Sequence, residues 1–114
     1  DREMVYAALR SGKSFVAYDA IGDATGFRFQ GRSDQITAMV GEEISLAGEV
    51  VFEIDSPLRA ELRLLRDGHV VARHRGKTLR YTAREGGVYR VEAYRRRLLK
   101  SLGWVFTNPI YVRP

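Results

Sequence analysis

His69 and His74 are the only imidazoles in the chain, and there is no cysteine. That excludes thiol nucleophiles, disulfides, thiolate metal sites and any three-histidine zinc centre. The two histidines stand five residues apart, beyond an Asp67-Gly68 turn. On a strand an odd offset sends side chains to opposite faces, so a shared metal is not expected. Asp19 and Asp23 flank a loop containing Gly22, and Glu42-Glu43 follow Gly41. No spacing forces these acids to converge, and Asp beside Gly reads first as a turn former. Ser14, Ser33, Ser45, Ser56 and Ser101 lack the surroundings of a nucleophile elbow and a histidine partner. Gly22, Gly26 and Gly31 are too scattered for a phosphate-binding loop. No catalytic, cofactor-binding or metal-ligating residue is assigned, and no cofactor is expected in this chain.

The densest chemical feature is Arg95-Arg96-Arg97 with Lys100, interleaved with Leu98, Leu99 and Leu102. These four cations are the candidate binding or docking surface. They belong to a basic chain: 19 Lys and Arg against 14 Asp and Glu, a net charge of +5, with 16 of the cations arginine. Arginine grips carboxylates and phosphates with a planar two-pronged donor set. An anionic-ligand or nucleic-acid module is one reading, and it wants stacking aromatics, of which Trp104 is the only close one. A hairpin tip whose leucines touch a neighbouring domain is the other, and it is preferred; nucleic acid is not expected.

The elements that would position this surface are mostly strands. The 114 residues, 45% hydrophobic and 29% charged, suit one globular domain. No apolar run approaches the ~20 residues of a membrane span, and no membrane partner is expected. The chain opens on Asp1, which suggests a piece of a longer protein. Met4, Val5, Ala8 and Leu9 keep helical spacing between a capping Asp1 and a stop at Gly12, so a short connector helix is expected over 1–12.

From 13 to 114 the period falls to two. Strands are expected at 14–18, Phe27–Phe29, Val50–Asp55, 61–65, 70–73, 78–83, 88–94 and from Trp104 to Val112. Ser56-Pro57 should end one of them, Gly76-Lys77 should turn between two more, and Asn108-Pro109 should mark a bulge or an edge in the last. Asp67-Gly68 between alternating runs is a strong hairpin signal. Glu85, Gly87 and Tyr89 ahead of Val91 and Ala93 resemble the tyrosine corner of immunoglobulin-like sandwiches, without the usual cysteine. The expected fold is all-β: an immunoglobulin-like two-sheet sandwich of seven to nine strands, preceded by one short helix. Phe52, Leu62, Leu64, Val91 and Trp104 are its expected core, with Tyr89, Asn108 and Pro109 in structural roles.

Two runs carry a family resemblance. Tyr6-Ala7-Ala8-Leu9-Arg10-Ser11-Gly12-Lys13-Ser14-Phe15-Val16 resembles the segment after the catalytic barrel of PHP-type (polymerase and histidinol phosphatase) metallohydrolases. Gly87-Val88-Tyr89-Arg90-Val91-Glu92 with Trp104 through Asn108-Pro109-Ile110-Tyr111-Val112 is similar to the end of longer members, in the carbaryl-hydrolase-like branch. The resemblance implies a bacterial, non-catalytic C-terminal accessory domain of a metal-dependent phosphoesterase or related hydrolase. Its partner would be an upstream catalytic domain of the same chain, and homo-oligomers are compatible with it. Divalent metals would belong to that catalytic domain, whose His, Asp and Glu motifs do not occur here, so no catalytic residue carries over.

Overall fold

The computed structural model describes residues 5–8, 15–18 and 20–114. Among them the chain is all-β, with ten strands. These are β1 (Val5–Ala8), β2 (Phe15–Tyr18), β3 (Arg28–Ser33), β4 (Ile36–Met39), β5 (Glu43–Ser45), β6 (Val50–Arg66), β7 (His69–Ala83), β8 (Gly87–Arg97), β9 (Lys100–Thr107) and β10 (Ile110–Arg113). They join into one curled sheet along β1-β2-β9-β8-β6-β3-β4, with β7 on β6 and β10 on β8 and β5.

The connector helix is corrected where it can be seen. Val5–Ala8 forms a strand, paired antiparallel with β2 from Val5↔Tyr18 to Ala8↔Phe15. A short isolated helix is marginal, whereas a strand beside β2 gains a ladder of hydrogen bonds. The rest of that expected helix and its Gly12 stop lie outside the described residues, as do Ser14 and Asp19.

β6 and β7 make a long hairpin. Its turn, Asp67-Gly68, has φ of 51° and 87°, the two left-handed positions that favour this pair. Ser56-Pro57 does not end β6. It interrupts the pairing instead: the register with β7 slips between Asp55 and Ala60, while the strand runs on to Arg66. Pro57 offers no N–H to the ladder, and the Ser56 hydroxyl takes the Leu58 N–H at 3.3 Å. Gly76-Lys77 is likewise no turn; it lies within β7 opposite this break.

The inward face of β6 keeps even numbers from Val50 to Leu64: Val50, Phe52, Ile54, Ala60, Leu62 and Leu64 are all buried, and at a second register shift Leu65 is buried too. The curl then brings Phe52 onto Tyr89, ring centroids 4.5 Å apart, and onto Phe29 at 5.6 Å. Val91 and Trp104 complete the same core.

Two irregularities close the sheet. Asn108-Pro109 splits the last expected strand in two: β9 pairs with β2 and β8, and β10 pairs antiparallel with β8 and parallel with β5. At that step the buried Thr107 hydroxyl accepts the Val91 N–H at 3.0 Å, which keeps the interrupted ladder satisfied. Where β8 turns into the sheet, the buried Tyr89 donates its hydroxyl to the Glu85 carbonyl at 2.7 Å. Replacing Tyr89 by Phe should cost about 1 kcal/mol, and by Ala about 2–5 kcal/mol, measured by urea unfolding. An unchanged midpoint for Y89A would remove this corner from the account of stability.

Candidate functional site

The hairpin joining β8 to β9 carries the cations singled out in the sequence. Arg97 pairs with Lys100, so Leu98-Leu99 form its two-residue tip. Both leucines project into solvent, 92% and 90% exposed. Leu98 also adopts a φ of 59°, a left-handed conformation that costs a leucine energy and a glycine little. An apolar side chain is thus held at the one place in the hairpin where the backbone would favour none.

The four cations divide. Arg95 and Arg97 turn back onto the loop before β3. Arg95 donates from Nη1 to the Ile21 carbonyl at 2.7 Å and from Nε to the Arg59 carbonyl at 3.3 Å. Arg97 donates to the Ala20 carbonyl at 2.9 Å. The side chains of Arg96 and Lys100 are exposed and make no ion pair or hydrogen bond among the described residues.

Trp104 belongs to the same construction. Its register with β8 slips by one residue, between Ala93↔Val105 and Tyr94↔Gly103, and this bulge places both Trp104 and Val105 inside. The indole N–H donates to the Gly22 carbonyl at 2.8 Å, the ring meets Phe27 edge-on at 5.9 Å, and the Arg95 guanidinium lies 5.7 Å from its centroid. Gly22 leaves room for the Arg95 guanidinium to reach the loop. A Cβ there would stand 2.6 Å from Arg95 Nη1 and 2.8 Å from Leu58 Cδ1. The indole is therefore a buried anchor beneath the loop, and it offers no ring to a stacking base.

Beside the hairpin, a shallow cleft of about 350 Å³ is lined by Tyr18, Ala20, Ile21, Arg97, Leu102 and Gly103. Val5, opposite Tyr18 in the register, lies at this same end of the sheet.

On the outer face, sequence reasoning missed a cross-strand ladder. The Arg63 guanidinium sits 4.1 Å over the Tyr94 ring, Tyr94 meets Phe106 edge-on at 5.9 Å, and Phe106 meets Tyr18 at 6.4 Å. Gly103, opposite Tyr94, leaves the space that Phe106 covers. A glycine facing an aromatic was the available signal.

The acids on this face are held ionised by arginines. Glu61 meets Arg63 at 2.8 Å, Arg75 at 3.3 Å and Arg73 at 3.5 Å, and hydrogen bonding from Arg63 leads in holding its carboxyl below the ordinary 4.5. Burial pushes Glu53 upward, but Gln30, Arg32 and Arg80 outweigh it and the net shift is down. Glu92 follows the same balance, with Arg90 and Tyr94 prevailing over burial. Such carboxylates pair charges and are poor proton donors near neutrality. His69 and His74 both lie exposed on β7, and among the described residues no group of three or more His, Asp or Glu could hold a metal ion. Asp23 accepts from the Thr25 N–H and hydroxyl, as a turn former does.

Two outcomes follow. Arg95→Ala should destabilise the fold by about 1.5–3 kcal/mol and shift the emission of the single tryptophan to the red, whereas Arg96→Ala should do neither. Because the pKa values of Glu53, Glu61 and Glu92 are lowered by folding, their stabilisation is present above the ordinary value of 4.5 and is lost as pH falls through the lowered values. In urea titrations Glu61→Gln should therefore lose less stability between pH 7 and pH 3 than the parent chain. An equal loss would show that the Glu61 cluster does not contribute.

Comparison with family models, with curated proteins and with solved structures finds no match to this chain.

Proposed function

We propose that this chain is a non-catalytic accessory domain that docks on a neighbouring catalytic domain through the β8–β9 hairpin. The observation that carries the reading is the Leu98-Leu99 tip, exposed at 92% and 90% on a backbone conformation unfavourable to leucine. Two adjacent leucines in water are a standing cost that burial against a partner removes. Arg96 and Lys100 flank the tip and would meet an acidic rim on that partner. The cleft at Ile21 and Leu102 extends the apolar surface, and Val5 lies at the same end of the sheet, so a domain preceding Val5 would join within reach of the tip.

The resemblance to PHP-type metallohydrolases supplies the identity of that neighbour: a metal-dependent phosphoesterase or related hydrolase upstream in the same chain. Any divalent metal would sit there, and this domain would shape substrate access or assembly. Within this reading the curled sheet is an immunoglobulin-like sandwich, with Tyr89 at its corner and Asn108-Pro109 at the step between β9 and β10. The rival reading, a module gripping an anionic ligand or nucleic acid through Arg95, Arg96, Arg97 and Lys100, is weakened by geometry. Arg95 and Arg97 donate to main-chain carbonyls, which leaves two of the four cations for a ligand.

The test is the double variant L98D/L99D in the protein that includes the upstream domain. Cleavage of the interdomain junction by a dilute protease should accelerate at least tenfold, while the melting of residues 1–114 stays unchanged. Unchanged cleavage would remove the tip as the docking element. Lack of manganese- or zinc-dependent phosphoesterase activity in the parent protein would remove the PHP-type assignment and leave the docking question separate.

A further inference from the structure

β7 ends the sheet on one side. Among the described residues it pairs with β6 alone, so from His69 to Ala83 a 15-residue edge presents unpaired backbone donors and acceptors. This edge has one sign of charge. From His69 to Arg84 the chain contains Arg73, Arg75, Lys77, Arg80 and Arg84, and no Asp or Glu. Arg73, Arg75 and Arg80 reach back to Glu61 and Glu53 at 3.5, 3.3 and 3.7 Å, Arg84 pairs with Glu49 at 3.3 Å, and Lys77 has no such acid among the described residues. Glu61 and Glu53 are already engaged by Arg63 and Arg32, so the edge stays positive.

The edge also has a receptacle. Where the β6–β7 pairing breaks between Asp55 and Ala60, a cleft of about 500 Å³ opens along β7. Leu79 gives it apolar lining above the buried Ile54, and Arg73, His74, Thr78 and Arg80 stand around it. Its two acids, Glu53 and Asp55, face arginines of β3, with Arg32 at 2.8 Å and Arg28 at 3.5 Å.

We propose that the free edge of β7 receives an extended acidic segment of a partner protein, added as a further strand, with one apolar side chain seated in the cleft beside Leu79. Main-chain hydrogen bonds would supply the affinity, and the cleft with its cations the selection. A second copy of this chain is the wrong occupant. Two β7 strands laid antiparallel set Arg and Lys against Arg and Lys, and like charges on facing positions repel. A strand alternating Glu or Asp with apolar residues turns each such contact favourable. This docking edge is separate from the Leu98-Leu99 tip and stands whether or not the tip binds a catalytic domain.

The test uses the whole chain and four fluorescein-labelled peptides of equal length, with alternating Glu-Val, Lys-Val, Glu-Ser and Glu-Pro. Anisotropy at low salt should show Glu-Val binding at least tenfold more tightly than Lys-Val and Glu-Pro, and severalfold more tightly than Glu-Ser. Glu-Pro has the charge, but its prolines remove the N–H groups of one edge and hold φ at about −65°, away from the roughly −140° of a paired strand, so it cannot lie along β7 as a regular strand. Added Glu-Val should slow amide exchange in β7 and leave β9 unchanged. Equal binding of Glu-Val and Glu-Pro would overturn strand addition in favour of bare charge attraction. No binding of Glu-Val, or protection located away from β7, would overturn the proposal. A concentration-dependent dimer protected along β7 would assign the edge to a second copy instead.

Discussion

The structure depends on β6 remaining one strand through Ser56-Pro57. Residues 51–55 pair with β7 on one edge and β3 on the other; residues 61–66 pair with β7 and β8. One strand therefore serves as the seam for two groups of partners. The seam works because the break over residues 56–59 changes the register with β7 without changing which face of β6 is buried. Phe52 and Ile54 ahead of it, and Leu62 and Leu64 beyond it, all point into the core. A strict ladder would have held the sheet flatter. The slip lets it curl until Phe52 and Tyr89 meet, closing apolar surface that an open sheet would leave wet.

Closure of the remaining gaps falls to long side chains bonded to main-chain atoms. Tyr89 reaches Glu85, Trp104 reaches Gly22, Arg95 reaches Ile21, and Arg66 reaches Gly86. Each is a side-chain donor on a strand meeting a carbonyl that no ladder serves. This is why the charged composition misleads when read as binding chemistry. Arg95 and Arg97 have the look of a phosphate grip in the sequence, yet they hold a loop whose own composition, Ala20-Ile21-Gly22, gives it few means of holding itself. The chemistry left facing outward is apolar at the hairpin tip and positive along β7.

The Asp67-Gly68 turn, the five named core residues and most strands are legible because they rest on local alternation and on turn stereochemistry; β4 and β5, in a polar stretch without alternation, are not, and they raise the count to ten against the expected seven to nine. The connector helix was misread at Val5–Ala8, since four residues cannot show a period strongly enough to outweigh an available strand partner. Ser56-Pro57 reads in the sequence as a strand end and Gly76-Lys77 as a turn, and both lie within strands. Breaker residues mark an interruption in pairing, and whether the chain turns there depends on what lies opposite. The tip at Leu98-Leu99 was legible as a feature of composition. The division of the arginines around it was not, because Arg95 and Ile21 meet across 74 positions of sequence.

The β6–β7 hairpin has a consequence for the order of assembly. Its contacts grow outward from Asp67-Gly68 by local zipping, the kind of event that takes roughly 1–10 μs. β2 with β9 closes across a far longer stretch of chain and carries a larger loop-closure entropy, and β3 meets β6 without a tight turn to start from. The β6–β7 hairpin is thus an early template, as β8–β9 is with its own two-residue tip, and β3 and β8 add to an edge that already exists. While they are arriving, β6 exposes that edge together with its apolar face. The cations of β7 give the incomplete chain a charge that keeps two such templates apart in the crowded interval before the sheet has curled.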